Sequence, residues 1–284
     1  MASQMKWWRT LGLVTLLLLF FTLTQLPDGR LHLVFCDVGQ GDASLVVKGS
    51  FQMLIDTGPR NGGVMNCLSS HMPFWDRNLE VVVGSHLQAD HFGEMKSVLG
   101  HYKVGEIVLS ADLPATQTMK TMYDQIKRDR IKIDIAEKGD RIRYGDLYFD
   151  ILWPSDNSGK VVLGKTTDPN ERALVLRLSY PGLTALFTGD IGEEQELALL
   201  TEGVLGHVDI LKVAHHGSKY SSSTAFSEKV SPEWAVVSVG SKNSYGHPAA
   251  ETLKRFDAVG AQIWRTDRQG ELEFVGDGKG YRPK

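Results

Sequence analysis

Past residue 30 the chain alternates short apolar runs with clusters of glycine, proline, aspartate and asparagine. Apolar runs at residues 31–35, 43–47, 52–55, 81–83 and 106–109 are rich in Val, Leu, Ile and Phe and read as strands between tight turns. Residues 130–135, 141–144 and 147–152 continue the series around a Tyr144-Gly145-Asp146 turn, and 173–179 and 183–187 form a hairpin pattern turning at Tyr180-Pro181-Gly182. Further strands are expected at 209–213, 234–239, 262–264 and 271–275. Between them lie segments with apolar residues at three- and four-residue steps, the mark of a helix face. These are 93–99, 114–129 (with Met119, Met122, Tyr123 and Ile126 on one stripe), 193–200, 222–230 and 249–258, the last with Pro248 suited to a first helical turn. Residues 61–78 have no clear period and read as a loop with at most one helical turn, and 155–170 is a polar, exposed loop. No repeat of about 20–50 residues is present. Strands come in groups with helices interleaved to the end, so residues 30–284 are expected to form one α/β domain. Two sheets with helices outside fit this order better than one doubly wound sheet.

The first 29 residues have a different pattern. Lys6, Trp7, Trp8 and Arg9 precede an uninterrupted apolar run at 11–23, which Pro27, Asp28 and Gly29 close off. The run is short for a spanning helix, which needs roughly 17–25 residues, and it has the length of a signal-peptide core. No A-x-A-like cleavage site follows it. It also lacks the polar face of a helix buried in a globular core. Residues 1–29 are therefore expected to be an uncleaved signal-anchor, with a cleaved signal peptide as the alternative. Either reading leaves the remainder outside the cytoplasm.

Net charge is −3, so no overall basic field would hold nucleic acid non-specifically, and any such contact must come from a local patch. Of the two cysteines, Cys36 falls in a strand pattern and Cys67 in the loop-like region. Two buried thiols and an extracytoplasmic disulfide are both consistent with that placement.

The candidate chemistry gathers at strand ends. Gly84-Ser85-His86-Leu87-Gln88-Ala89-Asp90-His91-Phe92-Gly93 follows the Val81-Val82-Val83 run. It offers two imidazoles and a carboxylate on a loop pinned to a rigid strand. Such groups are costly to bury unless something pairs them, and a divalent cation does so directly. Asp90 and His91, as neighbours, point in different directions and suit two metals about 4 Å apart. Five of the nine histidines sit in three such segments: His86 and His91, His215 and His216, and His247. Asp190 also lies just past an apolar strand. His32, His71, His101 and His207 lack this company and read as structural or surface residues. Asp37, Asp42 and Asp56 are turn acids by position, and Asp56 could orient a ligand histidine.

These segments, in order, resemble the metallo-β-lactamase-like domain of ComEC-type DNA-uptake competence proteins. The matching stretches are Asp37-Val38-Gly39-Gln40-Gly41-Asp42-Ala43, Asp56-Thr57-Gly58, His86 to Gly93, Thr188-Gly189-Asp190, His215-His216-Gly217-Ser218, Ser244-Tyr245-Gly246-His247-Pro248 and Thr266-Asp267-Arg268-Gln269-Gly270. The resemblance implies a four-layer αββα sandwich and metal-dependent hydrolysis by a domain outside the cytoplasm. It implies a metal set of His86, Asp90, His91, Asp190 and His215, with Asp190 bridging two ions, zinc or manganese. Asp90 would orient the attacking water, and His247 would be a further ligand or hold the scissile phosphate. Asp37, Gln40, Asp42, Asp56, Gln88, His216 and Ser218 would shape the floor or touch substrate, and Lys219, Lys242, Asn243 and Tyr245 could grip phosphates. Two departures stand out. Gln88 replaces an imidazole, which weakens one site or shifts its metal preference away from zinc. Asn170-Glu171-Arg172-Ala173 stands where the family has N-x-x-S.

The expected function is a phosphodiesterase or nuclease acting on DNA in a DNA-uptake context, anchored to or released from the membrane and working beside uptake machinery. With only one apolar segment ahead of the domain, the chain is not expected to form a DNA channel itself. One alternative is a same-fold hydrolase of a small ester, lactone or nucleotide, since fold does not fix substrate. Another is a non-catalytic uptake or envelope partner whose metal site has degraded at Gln88.

Overall fold

The computed structural model describes residues 2–24, 26–110, 117–155 and 168–284. Helix α1 (Ala2–Thr24) leads the chain, with Leu13, Leu16 and Phe20 among its exposed apolar side chains. Among the described residues no helix is long and apolar enough to cross a membrane. Strands β1 (Leu31–Phe35), β2 (Ser44–Lys48) and β3 (Phe51–Ile55) then form an antiparallel meander. Helix α2 (Gly63–His71) leads to β4 (Asn78–Gly84), and α3 (Ala89–Phe92) and α4 (Met95–His101) to β5 (Lys103–Leu109). Helix α5 (Gln117–Arg128) and β6 (Lys132–Ile135) follow, so that β3 to β6 run parallel.

The second half repeats this plan. Strands β7 (Arg141–Tyr144), β8 (Leu147–Trp153), β9 (Val175–Tyr180) and β10 (Leu183–Phe187) pair antiparallel. After them α6 (Glu193–Thr201), β11 (Ile210–Lys212), α7 (Thr224–Val230), β12 (Trp234–Val237), α8 (Ala250–Ala258) and β13 (Gln262–Arg265) extend the sheet in parallel. The chain ends with α9 (Thr266–Gln269) and strands β14 (Leu272–Gly276) and β15 (Tyr281–Pro283), which return to the first sheet beside β1. The sheet orders are β15-β14-β1-β2-β3-β4-β5-β6 and β13-β12-β11-β10-β9-β8-β7.

The period of two in a strand explains why each sheet is covered on both faces. On β3, Met53 and Ile55 face the layer between the sheets, where they join Leu33, Phe35, Val83, Phe149, Leu176 and Phe187. Leu54, between them in sequence, faces the other way and packs with Val82, Leu68, Val98 and Ile126 under α2, α4 and α5. On the far side Leu186, Leu211 and Val237 pack with Phe226 and Phe256 under α7 and α8. Two sheets face to face with helices outside is the αββα arrangement.

Several expectations change. Residues 61–78 contain a full nine-residue helix, α2, whose face is sparse (Val64, Cys67 and Leu68) and whose start is masked by two glycines. Residues 266–269, between two expected strands, form the short helix α9, and β15 adds an edge strand beyond the last one expected. Expected positions 114–116 of the fifth helix, and most of the polar loop at 155–170, lie outside the described residues. Cys36 and Cys67 form a disulfide, with Cα atoms 5.8 Å apart, which ties α2 to the end of β1.

Candidate metal centre

The switch from antiparallel to parallel pairing occurs at β3/β4 and at β10/β11, and the chemistry-bearing loops leave from these strands. Asp56 follows β3, Ser85 and His86 follow β4, Asp190 follows β10, and His215 and His216 sit in a 3-10 turn (Ala214–Gly217) after β11. Asp56, His215 and His216 all have left-handed backbone, with φ of 59°, 50° and 53°. Non-glycine residues in that region cost about 1–3 kcal/mol and persist where surrounding structure enforces them. Gly41 lets the Asp37–Asp42 loop lie against the metal loop. Its φ is +143°, and a Cβ there would fall 2.2 Å from the Asp90 carbonyl oxygen, which accepts the Asp42 amide at 3.1 Å.

His91 is fully buried and held from behind. Its Nδ1 lies 2.8 Å from Asp56 Oδ2, and Asp56 also accepts the Ser85 amide and hydroxyl, each at 2.7 Å. On the other side of the ring, His91 Nε2 is 3.1 Å from Asp190 Oδ1. His216 is held in the same way: its Nδ1 is 2.9 Å from the Ser238 carbonyl oxygen. A carbonyl can only accept, so Nδ1 carries a proton and Nε2 is left to face the acids. That Nε2 is 3.3 Å from Asp90 Oδ2 and 3.6 Å from Asp190 Oδ2. The His86 ring lies beside that of His91, centroids 4.1 Å apart and planes tilted by 50°, and its Nδ1 is 3.1 Å from Ser85 Oγ.

Buried polar atoms are paired as a rule. Here His86 Nε2 is buried with no hydrogen-bond partner, and His91 Nε2 and Asp190 Oδ1 are buried facing only each other at 3.1 Å. Imidazole nitrogens and a carboxylate oxygen are donors that zinc, manganese and iron accept. A divalent cation therefore fits this cluster: it would partner His86 Nε2 and replace the proton between His91 and Asp190.

His91, Asp190, His216 and Asp42 offer donor atoms within 4.8 Å of one another, but Asp42 lies behind the rings. Its carboxylate oxygens are each 3.8 Å from an Nδ1, that of His91 and that of His216, and these nitrogens are already bound to Asp56 and Ser238. Asp42 Oδ2 instead holds Lys212 Nζ at 2.5 Å. Asp42 is thus already engaged by Lys212, whereas Asp190 faces the Nε2 atoms of both His91 and His216.

The electrostatics follow this arrangement. Burial would lower the His91 pKa, but Asp190 and Asp56 outweigh it and hold His91 well above the ordinary imidazole range. His216 is raised against burial by Asp190 and Asp42. Burial would raise Asp190, but the charges on His91 and His216 keep it well below the ordinary carboxylate range. Asp90 is likewise lowered, against burial, by its hydrogen bond with His216 and the charge on His91. His86 is depressed to about 4 by burial and by His91. Protons on His91 and His216 thus do the work a cation would do, and a cation must displace them.

The remaining expected residues divide. His215 stands at the mouth, its side chain one-third exposed at 33% and its Nε2 3.9 Å from Asp190 Oδ2. His247 is next to it, ring centroids 5.7 Å apart, with exposed Tyr245 stacked on its other side. Burial and His215 lower the His247 pKa. Of the adjacent pair, His216 is thus the one buried among the acids and His215 the outer one. Gln88 Nε2 donates to Asn170 Oδ1 at 2.8 Å, which ties the Gln88 departure to the first residue of the segment whose fourth, Ala173, is the other departure. Gln40 Oε1 accepts the Gly240 amide at 3.2 Å. Asp37 is exposed and accepts its own turn's Gly39 amide, and Ser218 Oγ accepts the Tyr220 amide within its own loop, so neither joins the cluster. Asn243 is committed to bonds with Gly240 and His247, and Lys219 lies over the Tyr220 ring. Two members were not anticipated. Ser85 bridges Asp56 and His86. Lys212 is 3% exposed, and its signal was a lone lysine inside an apolar strand.

The profile of the metallo-beta-lactamase superfamily matches residues 36–241. ComE operon protein 3 of Bacillus subtilis (strain 168) is 27% identical over 282 residues, covering 90% of this chain and 34% of that protein. Competence protein ComA of Neisseria gonorrhoeae is 32% identical over 255 residues, covering 89% of this chain and 33% of that protein. The chain thus spans about a third of the length of the curated relatives it matches. Among solved structures, the metallo-beta-lactamase fold protein YhfI from Bacillus subtilis aligns over 87% of this chain and 100% of its own, with a TM-score of 0.59 and 12% identity. That likeness is one of fold.

Proposed function

The chain belongs to the metallo-β-lactamase superfamily, and from that premise we propose that it is a metal-dependent phosphodiesterase acting on DNA outside the cytoplasm, in a DNA-uptake context. The observation that carries hydrolysis is the buried convergence of His86 Nε2, His91 Nε2 and Asp190 Oδ1, which have no hydrogen-bond partner outside their own cluster. Support for DNA uptake comes from the match to two competence proteins across about nine-tenths of this chain. The Cys36–Cys67 disulfide and the apolar segment at 11–23 favour an oxidising, membrane-proximal location.

In this reading His86, His91, Asp190 and His216 hold the divalent cations, with His215 as an outer ligand. Bound there, the cations bring the pKa of water toward neutrality and offset charge on a phosphoryl group. Asp90, 29% exposed at its side chain, orients the attacking water and accepts its proton. Asp56 and Ser238 fix the rings of His91 and His216. His247 and His215, at the mouth, orient the phosphate. Tyr245, exposed and stacked on His247, offers a face to a nucleobase.

The test uses the full chain with manganese or zinc added after metal removal. Single-stranded DNA is cut, and Asp190→Ala and Asp90→Ala abolish cutting. Intact DNA beside rapid turnover of bis-p-nitrophenyl phosphate would move the substrate to a small phosphodiester. Absence of both activities in the metal-loaded protein would remove the phosphodiesterase reading.

A further inference from the structure

We propose that reduction of the Cys36–Cys67 disulfide opens a second metal site, formed by Cys67, His71 and Glu271, that takes zinc. None of these residues belongs to the cluster described above. Cys67 and His71 are four residues apart on α2 and so share one helix face. Glu271 comes from the residue before β14. One donor atom from each of the three lies within 4.8 Å of the others, and His71 Nε2 is already 2.9 Å from Glu271 Oε1.

A second carboxylate stands behind the imidazole, within ion-pair reach and beyond hydrogen-bond distance. Glu273 Oε2 lies 3.9 Å from His71 Nδ1, on the far side of the ring from Glu271. Glu273 is only 7% exposed, and it is fixed by His32 at 2.6 Å and Lys284 at 2.9 Å. A carboxylate behind a histidine is the usual means of orienting that ring toward zinc. Thiolate, imidazole and carboxylate with a fourth position open to water is a zinc donor set. The side chains of His71 and Glu271 are 17% and 43% exposed, which leaves a route in from solvent.

The disulfide is what closes the site, because its sulfur carries neither charge nor a proton to give up. A dithiol reductant supplies two electrons and two protons. The S–S bond breaks, Cys36 and Cys67 become thiols, and the reductant leaves as its own disulfide. Zinc then bonds to Cys67 Sγ and the thiol proton passes to solvent. Metal and disulfide thus compete for one sulfur atom.

Cobalt(II) is the probe for the test, on the full chain. The chain has two cysteines and the catalytic donors contain no sulfur, so a near-ultraviolet sulfur-to-cobalt charge-transfer band reports this site alone. The band is expected to be absent from the oxidised protein and present after reduction. Cys36→Ser shows it without reductant, Cys67→Ser and His71→Ala lose it, and Glu273→Gln weakens cobalt binding about tenfold. A reduced wild-type protein without the band would overturn the proposal, whether that protein keeps its fold by circular dichroism or loses it. So would a band of equal strength in His71→Ala and Glu271→Ala. If Cys36→Ser does not fold, the reduced wild type decides the matter by itself.

Discussion

Lys212 and Asp42 form an ion pair shut away from water: Nζ lies 2.5 Å from Oδ2, and the side chains are 3% and 6% exposed. The pair joins the end of β11 to the loop before β2, directly behind His91 and His216. Lys212 also donates to the Val213 carbonyl oxygen at 2.8 Å. Removing one partner of a buried pair leaves the other charged and unmatched, at a cost of about 3–5 kcal/mol. Lys212→Met is therefore expected to lower stability by about that amount in denaturant unfolding of the metal-free protein. Lys212→Met with Asp42→Asn should recover part of the loss. Equal losses in the single and double variants would show that the pair is not what Lys212 contributes.

A second expectation concerns Asp56, which accepts three hydrogen bonds from the metal loop: two from Ser85 and one from His91. It touches no cation in the arrangement derived above, yet it fixes which nitrogen His91 presents. Outer partners of this kind change metal affinity about 10–100-fold when removed. Asp56→Ala should weaken zinc binding within that range in a chelator competition, while Asp56→Asn, which can still accept, should lose less. Unchanged affinity in Asp56→Ala would mean that His91 needs no such support.

Much of this site could be read from the sequence because its members announce themselves. His86, His91, Asp190 and His215-His216 follow strands whose apolar runs are plain, and a charged group at a strand end is conspicuous. What could not be read was which of two neighbours turns inward. His216 lies inside and His215 outside, and both adopt left-handed backbone, a property of the turn that residue type does not reveal. Lys212 was hidden for the opposite reason. A lysine in a buried strand is tolerable only because Asp42 meets it, and Asp42 is 170 positions away in the chain. The helix α2 escaped notice because its buried face has only Val64, Cys67 and Leu68, and its disulfide depended on that helix turning Cys67 toward β1. The two-sheet architecture was legible from the grouping of strands, since period-two burial on both faces leaves long apolar runs.

Protonation gives a third test, in the metal-free protein. His91 and His216 stand above the ordinary imidazole range. Their contribution to stability is complete below about 6.5 and is lost as pH rises through their folded values. Asp190 and Asp90 stand below the ordinary carboxylate range. Theirs is complete above about 3.9 and is lost as pH falls through their folded values. His86, depressed to about 4, and His247, also lowered, act in the opposite sense below about 6.5. With His91 raised well above its ordinary value and His216 raised beside it, the chelated protein should on balance melt at a higher temperature at pH 5 than at pH 8. Zinc or manganese should raise the melting temperature more at pH 8, where fewer protons compete with it. A chelated protein that melts higher at pH 8 would contradict the proton-for-metal exchange.

Gln88 supports the last prediction, because its contact with Asn170 leaves half of the amide uncommitted. Nε2 donates to Asn170 Oδ1 at 2.8 Å, which directs the donor end of the side chain to the Asn170 loop and frees Oε1. Gln88 caps α3, the short helix that carries Asp90 and His91. An amide oxygen is neutral and a weaker ligand for zinc than an imidazole nitrogen. Gln88→His should therefore tighten binding of the more weakly held ion by about tenfold or more, raising the metal content of protein purified with limiting zinc. Gln88→Ala should change affinity little, and its main effect should be loss of the Asn170 contact. The comparison separates a weakened site from an abandoned one. If Gln88→His gains no metal and Gln88→Ala loses none, position 88 does not face the cations. If Gln88→Ala loses as much metal as Asp190→Asn, the amide oxygen is a principal ligand and the substitution for histidine is no weakening.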